Sequence, residues 1–224
     1  MNAGKLFAFA LRAAPYFIQG KQTEPAPSIS GKDQALLNLK SKDGAVIVIL
    51  GTRDTGKTEL AYRLAEFLGK PTFAISPEQK PHPKFIRLIK FDEIDDVPAS
   101  STLFMDDLPM YASNRDYHEA FVRSLERIIP MCRHERKLHL IFASQTAAQA
   151  DRYILDCDCA FLKPLGLLTA DIERPQVKKI YDNEVNPYFE NKSDDWIHKH
   201  AFMLSRNWKG IVGVKKVTDA AQNS

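Results

Sequence analysis

The sequence predicts an α/β fold in which a largely parallel sheet is flanked by helices, and three observations lead to this prediction. Residues 45–50 form a continuous β-branched and apolar run, as expected for a strand buried on both faces of a parallel sheet. Residues 58–68 repeat apolar side chains at helical spacing and are followed by Gly69. Further strand-like and helix-like segments then alternate along the chain.

The other elements are assigned from the same patterns. Apolar residues at helical spacing predict a second helix around residues 117–128. Two apolar segments, 201–204 and 211–217, flank Trp208-Lys-Gly210 and predict a C-terminal hairpin at the edge of the sheet. Short apolar runs predict the remaining strands at residues 72–75, 85–89, 102–105, 138–143 and 160–162.

The composition limits the class of protein. The chain has 224 residues, of which 44% are hydrophobic and 26% are charged, so a core can be buried and general disorder is excluded. A formal net charge of +3 is too small for a histone-like nucleic-acid binder, although it leaves room for a local basic patch. The three cysteines are odd in number and predict no disulfide framework, which favours a reducing compartment. No apolar run reaches the length of about 18 residues that a membrane span needs.

Composition also divides the chain into three parts. Residues 1–33 are an apolar N-terminal segment and a linker, residues 34–217 are the folded domain, and residues 218–224 are a tail. Arg12 and Pro15 interrupt the apolar segment, which therefore fits neither a membrane span nor a signal peptide. Two interpretations stay open: a helix that packs on its own domain, or an amphipathic segment that docks on a partner or a membrane surface.

Residues 51–58 carry the strongest chemical signal in the chain. They match the G-x-x-x-x-G-K-[ST] phosphate-binding loop (P-loop) in full, directly between a buried strand and a helix. The glycines let successive backbone N–H groups face an anion at the positive end of the helix dipole. Lys57 supplies a charge for the β- and γ-phosphates, and the Thr58 hydroxyl is a ligand for Mg²⁺. The predicted nucleoside-triphosphate site therefore comprises Gly51, Thr52, Arg53, Asp54, Thr55, Gly56, Lys57 and Thr58.

Two further predicted strands end in polar residues. The strand at residues 102–105 is followed by Asp106, which at this point reaches the Mg²⁺ shell, and by Asp107, which would polarise the attacking water. The strand that follows Lys137 ends at Gln145, whose amide can hydrogen-bond both water and γ-phosphate as a sensor of hydrolysis. Arg133, on the approach to that strand, can place a guanidinium near a neighbouring subunit's phosphate or remain a surface arginine.

Taken in order, these strand ends resemble those of the FtsK/HerA superfamily of DNA-pumping ATPases, which implies a RecA/ASCE-like P-loop NTPase fold. Within that superfamily the chain is most similar to the small genome-packaging ATPases of membrane-containing viruses with double-jelly-roll capsids. The resemblance covers residues 45–163 and rests on residues 51–58, 103–107, 133–134, 144–145, 151–155 and 158–163.

This resemblance implies an oligomeric ring, usually a hexamer, with ATP at the subunit interfaces and double-stranded DNA threaded through the centre. It implies Lys57 and Thr58 on phosphate and Mg²⁺, Asp106 on the metal, Gln145 as sensor and Arg133 as the arginine that acts in trans. The family usually has Asp-Glu where this chain has Asp106-Asp107. The shorter carboxylate must therefore lie closer to the water, or another group acts as the base.

The same resemblance suggests where the protein works and what it contacts. The location would be the host cytoplasm or the virion, with the N-terminal segment as the contact for capsid-vertex or membrane proteins. DNA in such a ring would be held through its phosphates, without base readout. The C-terminal part is the most basic stretch, and it is either a DNA-backbone contact or a solubilising edge hairpin. Its cations are Lys199, Arg206, Lys209, Lys215 and Lys216.

Two other classes of protein share this loop and stay open as alternatives. A small-molecule P-loop kinase has a chain of this size, but the strand that ends in Gln145 has no obvious role in a kinase. A Zot-like membrane-associated phage assembly ATPase also has the loop, but it normally carries a transmembrane segment. A GTPase is disfavoured, because residues 191–194 match the N-K-x-D pattern while no D-x-x-G tetrapeptide occurs anywhere in the chain.

Overall fold

The computed structural model describes residues 30–76, 82–106, 115–145, 147, 156–166, 170 and 173–213. The strands in this part of the chain are β1 (Ala45–Leu50), β2 (Thr72–Ile75), β3 (Ile86–Leu88), β4 (Thr102–Met105), β5 (His139–Ser144), β6 (Cys159–Leu162), β7 (His200–Ser205) and β8 (Lys209–Gly213). They form one sheet in the order β3-β2-β4-β5-β1-β6-β7-β8.

The sheet is parallel except at its C-terminal end. Every pair from β3 across to β6 is parallel, whereas β7 runs antiparallel to both β6 and β8. The predicted α/β P-loop fold, with a mainly parallel sheet and a C-terminal edge hairpin, is therefore confirmed. β5 lies between β1, which leads into the phosphate-binding loop, and β4, which leads into Asp106.

The strand boundaries agree closely with the sequence patterns. β1, β2 and β4 have the predicted bounds, and β3, β5, β6 and β7 differ from them by one residue at one or both ends. β8 begins two residues earlier than predicted and is described to Gly213, so the rest of the predicted second hairpin strand lies outside the described residues. Differences of this size arise because backbone pairing, and not hydropathy, decides where a strand ends.

The described helices include two that the sequence pattern predicts and four that it does not. The predicted ones are α2 (Lys57–Leu68) and α3 (Arg115–His134). The others are α1 (Gly31–Ser41), α4 (Pro175–Ile180), α5 (Asn186–Phe189) and α6 (Asp194–Lys199). A π-helical turn at Tyr181–Val185 joins α4 to α5, and a 3₁₀ turn lies at Phe91–Asp96.

α1 begins inside the predicted linker, three residues before the predicted start of the folded domain. Ser30 caps it, because the Ser30 hydroxyl accepts a hydrogen bond from the backbone N–H of Asp33 at 3.2 Å. Ala35 and Leu39 are its buried side chains, and the indole of Trp208 packs against Gly31. Contacts with the distant hairpin, and not a strong periodic pattern, therefore hold this helix.

The helices cover both faces of the sheet. Because alternate side chains of a strand point to opposite faces, Ile47 and Ile49 pack on one side with α1 and α2, whereas Val46 and Val48 pack on the other. The second side is covered by α3 and by the helical segment 175–189. The parallel strands β4, β5, β1 and β6 then end on one edge of this three-layer structure, which is where the phosphate-binding loop lies. Within the described residues no helix has the length and apolarity needed to cross a membrane.

Candidate active site

The phosphate-binding loop leaves the carboxyl end of β1 and is anchored to the strands on both sides. The backbone N–H of Gly51 donates to the carbonyl of Ser144, at the end of β5, at 3.3 Å. The backbone N–H of Thr52 donates to the carbonyl of Pro164, just past β6, also at 3.3 Å. The loop is therefore held in place before it turns into α2, whose N-terminus adds a positive dipole end.

Both glycines of the motif are required by their surroundings. Gly51 has a φ of 153°, and a Cβ placed there would lie 2.4 Å from the Cβ of Lys163. Gly56 has a φ of 81°, and a Cβ there would lie 3.1 Å from the carbonyl oxygen of His198. The loop thus needs both the left-handed backbone and the close approach that glycine permits.

The side chains of the loop converge on one carbonyl. Lys57 Nζ donates to the carbonyl of Thr52 at 2.7 Å, and the hydroxyl of Thr55 donates to the same oxygen at 2.8 Å. Arg53 and Asp54 are exposed at the tip of the loop, where Asp54 has a left-handed φ of 57°. The ammonium of Lys57 therefore lies across the loop that the sequence predicts to hold phosphate.

Thr58 and Asp106 meet at the mouth of this loop. The Thr58 hydroxyl donates to Oδ2 of Asp106 at 2.8 Å, and Asp106 is 8% exposed. Neighbouring ligands of an octahedral Mg²⁺ with bonds of 2.0–2.1 Å lie about 2.9 Å apart. The two oxygens are hard donors at nearly that separation, so these residues fit the ion that the motif implies.

Gln145 lies beside the loop, and a residue that the sequence did not indicate holds the segment after it. Gln145 is half-buried and follows Ser144, whose carbonyl accepts from Gly51. The buried carboxylate of Glu173 accepts the backbone N–H of Ala147 at 2.8 Å and that of Arg174 at 2.7 Å. Glu173 has no strand-end position or motif spacing by which sequence reasoning could have found it.

Lys163 is the second residue that sequence reasoning did not assign. It directly follows β6, is fully buried, and donates through Nζ to the carbonyls of Ile197 at 2.7 Å and His198 at 3.0 Å. Burial, together with the positive charge of Lys57, lowers the pKa of Lys163 to about 7. Its signal in the sequence is the one that identified Asp106: a polar residue directly after a buried strand.

The remaining predicted residues do not join this cluster within the described subunit. Asp107 lies outside the described residues. Arg133, at the end of α3, donates to the carboxylate of Asp158 at 3.0 Å, and the same carboxylate accepts the backbone N–H of Val46 near the amino end of β1. Arg133 therefore lies at the edge of its own sheet opposite to the phosphate-binding loop, and its role in trans stays a prediction.

Asp158 is the centre of this opposite edge. It also accepts the ammonium of Lys42 at 2.5 Å. Burial alone would raise the pKa of Asp158, but the hydrogen bonds from Lys42 and Val46 and the nearby Arg133 outweigh it and hold the pKa below its usual value. The ionised carboxylate thus ties α1 and α3 to the start of β1.

The basic stretch near the C-terminus is partly neutralised. Lys199 pairs with Asp195 at 2.6 Å, and Lys209 pairs with Glu184 at 2.7 Å. Arg206 is exposed in the turn of the hairpin, and Lys215 and Lys216 lie outside the described residues. Exposed ion pairs of this kind are worth less than about 1 kcal/mol, so they do not prevent these lysines from meeting a phosphate backbone.

Comparison with known proteins finds similar solved structures, whereas no family model and no curated protein matches. One structure is B204, the DNA-packaging ATPase from Sulfolobus Turreted Icosahedral Virus, with 10% identity over 79% of this chain and 98% of B204 and a TM-score of 0.47. Another, named only as an ATPase, has 9% identity over 81% of this chain and 82% of its own, with a TM-score of 0.48.

A third similar structure is the cytoplasmic domain of EssC, with 12% identity and a TM-score of 0.47. The alignment covers 80% of this chain but 39% of that structure. At these identities the likeness to the three structures is one of fold alone.

Proposed function

We propose that this chain hydrolyses ATP with Mg²⁺ and uses the reaction to move double-stranded DNA, in the packaging of a viral genome into a preformed capsid. The observation that carries the Mg²⁺-dependent hydrolysis is the Thr58–Asp106 hydrogen bond at the mouth of a complete phosphate-binding loop. The movement of DNA is proposed from the resemblance of the strand ends to those of DNA-pumping ATPases. The order of the strand ends, with Gln145 following the strand between the other two, supports it further.

The residues of the site divide the work of phosphoryl transfer. The N–H groups of the loop and the ammonium of Lys57 bind and orient the β- and γ-phosphates. Thr58 and Asp106 would hold the Mg²⁺, which when bound spreads the charge that develops on the phosphate oxygens. Because this transition state is loose, positioning and electrostatic stabilisation contribute more than removal of a proton.

Two further residues at the same edge of the sheet would act on the attacking water. Gln145 would orient the water and report loss of the γ-phosphate, and Asp107 would accept its proton. Glu173 would keep Gln145 in position, since the Glu173 carboxylate accepts a hydrogen bond from the backbone N–H of Ala147, two residues further along the chain. Arg133 would complete the site of a neighbouring subunit, which makes turnover depend on assembly.

Assembly also explains how a chain with a net charge of +3 could hold DNA. A homo-oligomeric ring, hexameric in the related motors, repeats a modest basic surface around a central channel and grips the phosphates without reading bases. The N-terminal segment would contact capsid-vertex or membrane proteins, in the host cytoplasm or in the virion.

One experiment tests the central proposal. We expect ATP hydrolysis that requires Mg²⁺ and rises on addition of double-stranded DNA, together with a mass in light scattering that corresponds to a ring. Lys57→Ala is the matched inactive control. A monomer whose turnover ignores DNA would contradict DNA translocation, and phosphoryl transfer to a small acceptor without DNA would favour a kinase.

A further inference from the structure

Lys163 lies between the phosphate-binding loop and α6. Its backbone and Cβ pack against Gly51, since a Cβ on that glycine would come within 2.4 Å of the Lys163 Cβ and 3.2 Å of its Cα. Its ammonium extends to the last turn of α6, where it donates to the carbonyls of Ile197 and His198. One buried side chain thus bridges the loop and a helix that is more than 30 residues away in sequence.

α6 itself contacts the loop and continues into the edge hairpin. The backbone of His198 packs against Gly56, whose added Cβ would lie 3.1 Å from the His198 carbonyl oxygen. α6 ends at Lys199, and β7 begins at His200. The ring of Trp196 stacks on that of His200, with centroids 3.9 Å apart and planes at 11°. A displacement at the loop can therefore pass through α6 to β7.

We propose that Lys163 is a positioning residue that couples the phosphate-binding loop to α6, so that nucleotide binding at the loop is transmitted to the edge hairpin. The inference rests on the proposed function, because it concerns the same nucleotide site. In this role the ammonium of Lys163 acts through the backbone carbonyls of α6 and not on the substrate.

The charges around Lys163 determine how nucleotide binding changes its hydrogen bonds to α6. Lys57 faces it from α2 and disfavours its protonated form, as burial does. From α6 it meets backbone carbonyls, while the charged side chains Asp194, Asp195 and Lys199 are exposed. A phosphate bound by Lys57 offsets the repulsion between the two cations. Lys163 is then more fully charged, and charge-assisted hydrogen bonds hold the α6 carbonyls more firmly.

The test uses a tryptophan that the fold already places on α6. The chain has two tryptophans, so Trp208→Phe leaves Trp196 as the only fluorescent indole. This parent variant would be titrated with ATPγS and Mg²⁺, with Trp196 fluorescence and calorimetric binding measured on the same samples. Lys163→Met, Lys163→Arg and Lys199→Met would be added in turn, the last as a control because Lys199 is an exposed lysine of the same helix.

We expect a saturable Trp196 response in the parent that follows the calorimetric binding curve. Lys163→Met should bind ATPγS up to about tenfold more weakly and show no Trp196 response at saturation. Lys163→Arg should restore the response, and Lys199→Met should keep it. Circular dichroism checks folding, and if Lys163→Met unfolds, the neutral and shorter Lys163→Gln replaces it.

Two results would overturn the inference. One is a full Trp196 response in Lys163→Met at saturating nucleotide, and the other is calorimetric binding to the parent without any Trp196 response. Absence of calorimetric binding to the parent is a different result, since it would contradict the proposed nucleotide site itself.

Discussion

The hydroxyl of Thr58 donates a hydrogen bond to Oδ2 of Asp106 at 2.8 Å, although the two residues lie 48 positions apart in the chain. The bond joins the first turn of α2 to the carboxyl end of β4, and β5 lies between β4 and the strand that leads into α2. The sheet therefore brings together two oxygens that would hold a metal ion at the predicted phosphate site.

This pair leads to the first prediction. Thr58→Ala and Asp106→Asn should each lower ATP turnover about 100-fold or more, because each removes an oxygen donor that fits the metal ion. Thr58→Ser keeps the hydroxyl and should stay within about tenfold of wild type. Phosphate release at saturating Mg²⁺ measures the effect. Asp95→Asn is the control, since Asp95 is an exposed carboxylate paired with Arg127, and equal losses in the control would contradict the assignment.

The glycines of the loop give the second prediction. Gly51→Ala places a Cβ 2.4 Å from that of Lys163, so the variant should lose about 1–3 kcal/mol of unfolding free energy and most of its nucleotide affinity. Gly69→Ala is the matched control, because Gly69 also has a positive φ of 70° but has nothing within 4 Å. It should cost about 1–2 kcal/mol of stability and leave affinity intact.

Denaturant unfolding and calorimetric binding of ADP separate the two effects of these glycine variants. Normal ADP affinity in Gly51→Ala would show that the loop relaxes around the added methyl group.

Glu173 leads to a prediction in which catalysis changes and nucleotide binding does not. Glu173→Gln replaces one acceptor oxygen by an NH₂ group, so either Ala147 or Arg174 loses its acceptor. We expect kcat to fall about tenfold while KM for ATP stays within about twofold, because the segment after Gln145 and not the phosphate loop is loosened. Steady-state kinetics measure kcat and KM separately, and Glu190→Gln, at an exposed position, is the control. A rise in KM with unchanged kcat would contradict the proposal that Glu173 acts on the segment after Gln145.

Arg133 is tested by mixing subunits. If it acts in trans, Arg133→Ala and Lys57→Ala are each inactive alone, because one lacks the arginine and the other the phosphate-binding ammonium. Co-assembled rings of the two variants should recover part of the turnover, since each interface between them can combine an intact loop with an intact arginine. Activity assays on mixtures at several ratios measure this. Failure to recover at any ratio would limit Arg133 to its ion pair with Asp158.

His139 leads to a prediction about stability and pH. It starts β5, is fully buried, and neither ring nitrogen has a hydrogen-bond partner among the described residues. Burial, with the nearby charge of Lys70, lowers the pKa of His139 to about 4. The unfolded chain, with an ordinary histidine pKa near 6.5, takes up the proton first, so stability contributed by the neutral ring is present above that pH. It is lost as the pH falls from about 6.5 towards 4.

Chemical unfolding at several pH values measures the free energy of unfolding, which should fall by about 1–2 kcal/mol by pH 5 because of His139. His139→Leu should flatten the dependence, and exposed His134→Leu should leave it as in wild type. A slope that is unchanged in His139→Leu would assign the acid sensitivity to other groups.

Local patterns predicted much of this fold because they report contacts that lie close in sequence. The β-branched run of β1 and the helical spacing of α2 each identify an element that is buried along its own length. α1 and α6, two of the four helices that were not predicted, escaped prediction for the opposite reason. α1 has two buried side chains, α6 has none, and both are held by distant partners, Trp208 for α1 and Lys163 for α6.

For the site, the sequence by itself determined which residues lie together, namely loop 51–58, Asp106 and Gln145, because each directly follows a buried strand and parallel strands end on one edge. Their roles on phosphate, metal and water stay predictions. Tertiary structure alone decided that Thr58 bonds Asp106, that Glu173 holds Ala147, that Lys163 reaches α6 and that Arg133 pairs with Asp158. Each of these contacts joins residues that are 25 or more positions apart. Such pairs depend on strand order and helix placement, which the packing of the whole core sets and no local spacing encodes.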